Sequence, residues 1–142
     1  MSFEPFMWST FCDDVRQEVG NKLSYLGIYG PNLVVPAFPT TLLKLCCVFN
    51  VRVGAANPPQ SVIFRLLRDD EVIFEHGLEA GRDSLPTARA NDVDIQALTI
   101  GSVAQLVGFA ITRPSRLKAR AIVDGRELRG GTLDLQAAPS AE

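Results

Sequence analysis

Histidine is nearly missing from this chain: 142 residues contain one, His76. A single imidazole excludes every site that needs two, such as the paired histidines of zinc proteases. Cysteine is scarce as well, at three residues, Cys12, Cys46 and Cys47. The count is odd, and the adjacent pair would point to opposite faces of a strand. Both features argue for reduced, packed thiols rather than disulfides or metal ligands. No apolar run approaches the ~20 residues of a membrane-spanning helix. The opening Met1-Ser2-Phe3-Glu4-Pro5-Phe6 has no basic segment followed by an apolar one. The expectation is a cytoplasmic protein without membrane contact. Phosphate-binding glycine loops are also lacking, because Gly101-Ser102 and Gly130-Gly131 have no adjoining lysine and no strand–loop–helix setting. Nor is there a Gly-x-Ser-x-Gly elbow to expose a nucleophile. These gaps imply no cofactor and lead us to expect no enzymatic activity.

What is present is ordinary globular composition, 46% hydrophobic and 21% charged. A chain of this length makes one domain and can bury roughly 68% of its extended surface. We read residues 1–136 as that domain and 137–142, where periodicity is lost, as a frayed tail.

The dominant pattern has period two. Leu43, Leu45, Cys47, Phe49, Val51 and Val53 fall on one face of a strand, and Lys44, Cys46, Val48, Asn50 and Arg52 on the other. Leu117, Ala119, Ala121 and Val123 likewise oppose Arg116, Lys118, Arg120 and Ile122, as in an antiparallel sheet with one wet face. Further strands are expected over 6–11, 23–29, 33–35, 62–68, 72–78, 93–100 and 106–112, the last two separated at Gly101-Ser102. Asp124-Gly125 suits a tight hairpin turn, and Gly130-Gly131 a bulge in the return strand. Pro36, Pro39, Pro58, Pro59, Pro86 and Pro114 fall between strands. Residues 79–91 read as a longer surface loop. Asp13–Asn21, acidic at its start and ended by Gly20, is the best helix candidate, with an extended loop as its alternative. The expected fold is all-β: a single immunoglobulin-like antiparallel β-sandwich of about 8–9 strands with at most one short helix.

The stretch from Cys12-Asp13-Asp14-Val15-Arg16-Gln17-Glu18 through Gly20-Asn21-Lys22-Leu23-Ser24-Tyr25-Leu26-Gly27-Ile28-Tyr29 to Pro36-Ala37-Phe38-Pro39 resembles an uncharacterised family of small bacterial and phage-borne proteins. The resemblance covers about residues 11–53. It implies a β-sandwich in an intracellular bacterial or phage setting and carries over no catalytic residue.

Two features point to binding. Net charge is −2, but the cations are unevenly spread. Arg113, Arg116, Lys118, Arg120, Arg126 and Arg129 cluster around the last hairpin, where arginine forks suit phosphate or an acidic partner. The bland reading is a solvated face that blunts a sheet edge. No stacking aromatics interleave the cluster, so nucleic acid is the lesser expectation. The N-terminal strand carries Phe6 and Trp8 on one side and Met7 and Phe11 on the other. A sandwich has two inner faces, so one set is left exposed or covered by a partner. Val48, Ile63, Leu67, Ile73 and Ile122 also fall on otherwise polar faces. We expect a non-catalytic binding or scaffold module that acts by occluding a protein partner, with a homodimer as one form it can take. The alternative is a nucleic-acid or phosphate binder using the arginine-rich hairpin. His76 as a general base and calcium held by Asp13-Asp14, Asp69-Asp70 or Asp92 and Asp94 are weaker alternatives. Turn and cap roles account for those aspartates.

Overall fold

The computed structural model describes residues 3–80 and 96–139. Of the expected features, the start of the 93–100 strand and most of the 79–91 loop lie outside the described residues. Nine strands are present: β1 (Phe6–Glu18), β2 (Lys22–Ile28), β3 (Asn32–Val35), β4 (Thr40–Gly54), β5 (Ser61–Arg68), β6 (Glu71–Glu79), β7 (Ala97–Ile111), β8 (Ser115–Val123) and β9 (Arg126–Ala137). No helix occurs among the described residues. They form a four-stranded sheet, β2-β1-β4-β7, and a five-stranded sheet, β3-β9-β8-β5-β6. The expected all-β sandwich is what the chain forms.

The inward residues of both sheets make one core. Phe49 of β4 meets Phe64 of β5 with ring centroids 5.5 Å apart, and stacks on Phe74 of β6 at 5.9 Å. Leu45, Leu66, Leu117, Leu133 and Leu135 fill the rest without exposed surface of consequence. Alternation in β8 is strict, with Leu117, Ala119, Ala121 and Val123 all buried. The small alanines let the two sheets approach there.

Several expectations need correcting. Asp13–Glu18 is strand, the continuation of β1, and pairs with β2 through Val15 opposite Tyr25 and Gln17 opposite Leu23. Its β-branched Val15 is worth more packed on Tyr25 than on a short, poorly nucleated helix. Gly101-Ser102 separates nothing: β7 runs unbroken and pairs with β4 from end to end. One pair is not antiparallel, since β3 lies parallel to β9, with Leu33 opposite Leu135. Leu43 does not point into the core but is 90% exposed. Opposite it Gly108 takes a left-handed backbone, φ +64°, which reverses the pleat. Leu42, Phe109 and Ile111 therefore take over the inward positions. At the C-terminus β9 continues through Ala137, and Ala138 N–H donates to Val35 C=O at 2.8 Å.

Other local readings are met. Asp124, at φ +48°, turns the last hairpin, and its Oδ1 accepts from the N–H groups of Gln60 and Ser61, both at 2.9 Å. The Gly130-Gly131 bulge lies opposite Ala119. A Cβ on Gly130 would stand 2.9 Å from Met7 Cε, 3.0 Å from Ser9 Oγ and 3.2 Å from Ala119 Cβ, so glycine eases the close approach of β1 to β9. Gly131 N–H donates to Ser9 Oγ at 2.7 Å across the same seam.

Candidate functional site

The outer face of the five-stranded sheet holds most of the arginine cluster. Arg116, Lys118 and Arg120 project outward from β8 because Leu117, Ala119 and Ala121 are drawn inward. Register sets Arg129 opposite Arg120. Arg113 stands at the end where β8 begins, and Arg126 at the far end of the hairpin. All six cations have a carboxylate. Arg116 Nε meets Asp134 Oδ1 at 2.6 Å, Arg113 meets Asp69 at 2.8 Å, and Arg126 meets Glu4 at 2.9 Å. Lys118 faces Asp70 at 3.6 Å, while Arg120 and Arg129 share Glu127 at 4.0 and 3.6 Å. The hydrogen bond from Arg113, and then the Arg116 N–H, hold the Asp69 carboxyl below the usual range. The bond to Asp134 raises Arg116 in turn.

A shallow depression of about 410 Å³ opens beside Asp69, Asp70, Ser115, Arg116, Lys118 and Asp134. Its lining mixes both signs of charge, so an incoming anion gains little net field. Arg65 continues the pattern on β5, bound to Glu75 at 2.8 Å. Ile63 and Ile122 lie side by side in register on this face, where each half-buries the other.

The outer face of the four-stranded sheet is built differently. Met7, Ser9 and Phe11 of β1 turn inward, which leaves Phe6 and Trp8 outward, 51% and 42% exposed. Phe3 stacks on Phe6 with centroids 6.3 Å apart, and Phe6 contacts Trp8 at 5.8 Å. Register places Arg52 opposite Phe6 and Asn50 opposite Trp8. Arg52 donates to Thr99 Oγ1 at 2.7 Å, and no described carboxylate pairs with it. Toward the middle of this face Cys12, Cys46 and Val48 are fully buried, shielded by Val15, Tyr25 and Val103. This small second core explains Val48 without a second layer of structure. Burial pushes the Cys12 thiol up to about 11. The same cause raises Cys46, and Cys47 in the main core as well. All three are free thiols that stay protonated near neutral pH. At the rim Lys44 bonds Asp14 at 2.6 Å, which lowers that carboxyl.

His76 Nδ1 lies 2.9 Å from Ser102 Oγ, where β6 passes over β7 on one flank of the sandwich. The pair is exposed, and no described group orients the other imidazole nitrogen, so the triad logic of an activated serine is incomplete. No described group of three or more His, Cys, Asp or Glu is placed to hold a metal ion. No described helix is long and apolar enough to cross a membrane.

Trp8 thus stands on the opposite side of the molecule from Arg116, Lys118 and Arg120. Reading the sequence missed Arg52 and Ser102, because each gains its neighbour only through pairing between distant strands. Arg68 was missed too; its guanidinium lies 4.4 Å over the Phe109 ring, a cation–π contact with no local signature. A family model described as a family of unknown function, DUF6941, matches residues 7–136. No curated protein matches the chain.

Proposed function

The chain belongs to the DUF6941 family of unknown function, and from that premise we propose that it is a non-catalytic protein-binding or scaffold module that covers a partner's surface. The observation that carries this reading is the Phe3–Phe6–Trp8 row on a sheet face, flanked by Arg52, which no carboxylate among the described residues pairs with. Aromatic and arginine side chains are the common anchors of binding hot spots, and an isolated folded chain gains nothing by keeping them wet. The setting we infer is that of an intracellular accessory protein of bacterial or phage type, acting by occlusion.

The strand order supports an immunoglobulin-like assignment for the sandwich. In β9-β8-β5-β6 the chain follows the G-F-C-C′ order of variable-type domains, and β1-β4-β7 follows A-B-E. In such domains sheet faces and end loops both serve as contact surfaces, so the assignment fits a binding role. The alternative, a nucleic-acid or phosphate binder on the last hairpin, has less support, because each cation there already faces a carboxylate.

The test is capture from a lysate of the source cells with the wild-type chain and with Phe6→Ala/Trp8→Ala. The expected result is a species retained by the wild type and lost with the variant, at least about a 30-fold weakening for anchors worth ~2 kcal/mol. Equal retention by both chains overturns the reading.

A further inference from the structure

A sheet edge is a row of unpaired N–H and C=O groups, and folded proteins guard it with short strands, charge or irregularity. Three of the four edges here are guarded. β3 has four residues. β2 has seven, its ladder to β1 skips Gly27, and it starts on a lysine. β6 carries Glu71, Glu75 and Glu79 and pairs with β5 through a register shift. β7 is the exception over Ala97–Val107, where its ladder to β4 is continuous up to the gap at Gly108. It has 15 residues, Ala-Leu-Thr-Ile-Gly-Ser-Val-Ala-Gln-Leu-Val-Gly-Phe-Ala-Ile, without one charged side chain. Its only partner among the described residues is β4.

The groups on offer can be identified. Gln96 C=O accepts from Ala55 N–H at 3.1 Å, at the head of the β4–β7 ladder. Alternation along an antiparallel pair then turns Leu98, Ile100, Ser102, Ala104 and Leu106 toward β4. The intervening Thr99, Gly101, Val103, Gln105 and Val107 turn their N–H and C=O outward.

We propose that β7 is a strand-addition site whose occupant is β7 of a second copy of this chain, laid antiparallel about a two-fold axis through Val103. That register pairs outward-bonding residues only with each other: Val103 with itself, Gly101 with Gln105, and Thr99 with Val107. About ten inter-strand hydrogen bonds form. On the inner side Ile100 comes opposite Leu106 of the second copy, apolar against apolar. The neutrality of the strand is what permits this, since any charge near the axis would meet its own image. β6 lies over β7 on the same flank, joined to it by the His76–Ser102 hydrogen bond. β6 belongs to the other sheet, so the joint is made by the four-stranded sheets alone. The result is one continuous eight-stranded sheet. The proposal stands apart from the aromatic face, which remains open on both copies.

Sedimentation equilibrium of the purified full chain from micromolar to millimolar concentration tests it. The wild type is expected to be a dimer. Gln105→Pro is expected to be a monomer with unchanged circular dichroism, because the N–H it removes is one β4 does not use. Gln105→Thr, which keeps that N–H, restores the dimer. Phe6→Ala/Trp8→Ala leaves the dimer intact, which separates this proposal from the binding role of the aromatic face. A wild-type monomer throughout the range overturns it, as does a dimer that Gln105→Pro does not weaken. A Gln105→Pro chain that loses its fold returns the test to Gln105→Lys, whose two like charges beside the axis must dissociate the dimer.

Discussion

The two outer faces of the sandwich meet water in opposite ways. On the five-stranded sheet the outward cations meet carboxylates, as in Arg116–Asp134, Arg65–Glu75 and Lys118–Asp70, and even Arg120, which register sets between Arg65 and Arg129, shares Glu127 with Arg129. On the four-stranded sheet, corresponding positions hold Phe6, Trp8, Val103 and Val107, with buried thiols beneath. Both sheets obey the same alternation and share the same core. The contrast therefore owes nothing to folding requirements. On the proposed reading, the paired face is a finished surface and the aromatic face is the one a partner covers.

The contrast breaks most severely where the faces share support. Phe49→Ala removes the ring wedged between Phe64 and Phe74 and is expected to cost ~3–5 kcal/mol. Urea unfolding should show both sheets lost in one transition; loss of one sheet alone would mean that they are separate units. Smaller, and selective, is the response to pH. Cys12, at about 11, sits above the ordinary value of 9.0, so its protonated form favours the fold. That contribution is complete below pH 9 and is lost as pH rises through 11. The Cys12→Ala chain should lose less stability between pH 9 and 11 than the wild type.

Asp69 has the opposite sign. Its carboxyl is held below the ordinary value of 3.8, so its contribution is present above that pH and disappears as acid protonates it. Asp69→Asn should flatten the acid limb of the stability curve and leave the alkaline limb alone. The smallest effect belongs to single members of the paired face. Arg116→Ala, at an exposed pair, is expected to leave the melting temperature nearly unchanged, and to affect it still less in high salt. A larger loss in thermal melts would make the paired face a structural necessity.

The architecture was legible where pattern is local. Alternation in β8, the Asp124-Gly125 turn and the Gly130-Gly131 bulge each need only a few adjacent residues. The failures share a cause. Asp13–Glu18 looks like a marginal helix until Tyr25 and Leu23 arrive beside it on β2. Leu43 continues an inward row until Gly108, far along the chain, reverses the pleat. The candidate surfaces divide the same way. Phe6, Trp8 and the cations were visible as residues, but the carboxylates opposite those cations, and Arg52 beside Phe6, depend on register between strands. A cluster of charge in sequence thus says little until its counter-charges are located.

The seam at Gly130 also governs how the molecule comes into being. Ser9 and Gly131, which bond across it, are 122 residues apart, and β3 waits for β9 as its only pairing partner. Loops that long close slowly and only after most of the chain has been made. The seam of β1 therefore stays open until β9 follows, with Met7 and Phe11 exposed to whatever binds them first. The twelve residues of β9 complete the core, and without them β3 and β8 lose the strand that lies between them.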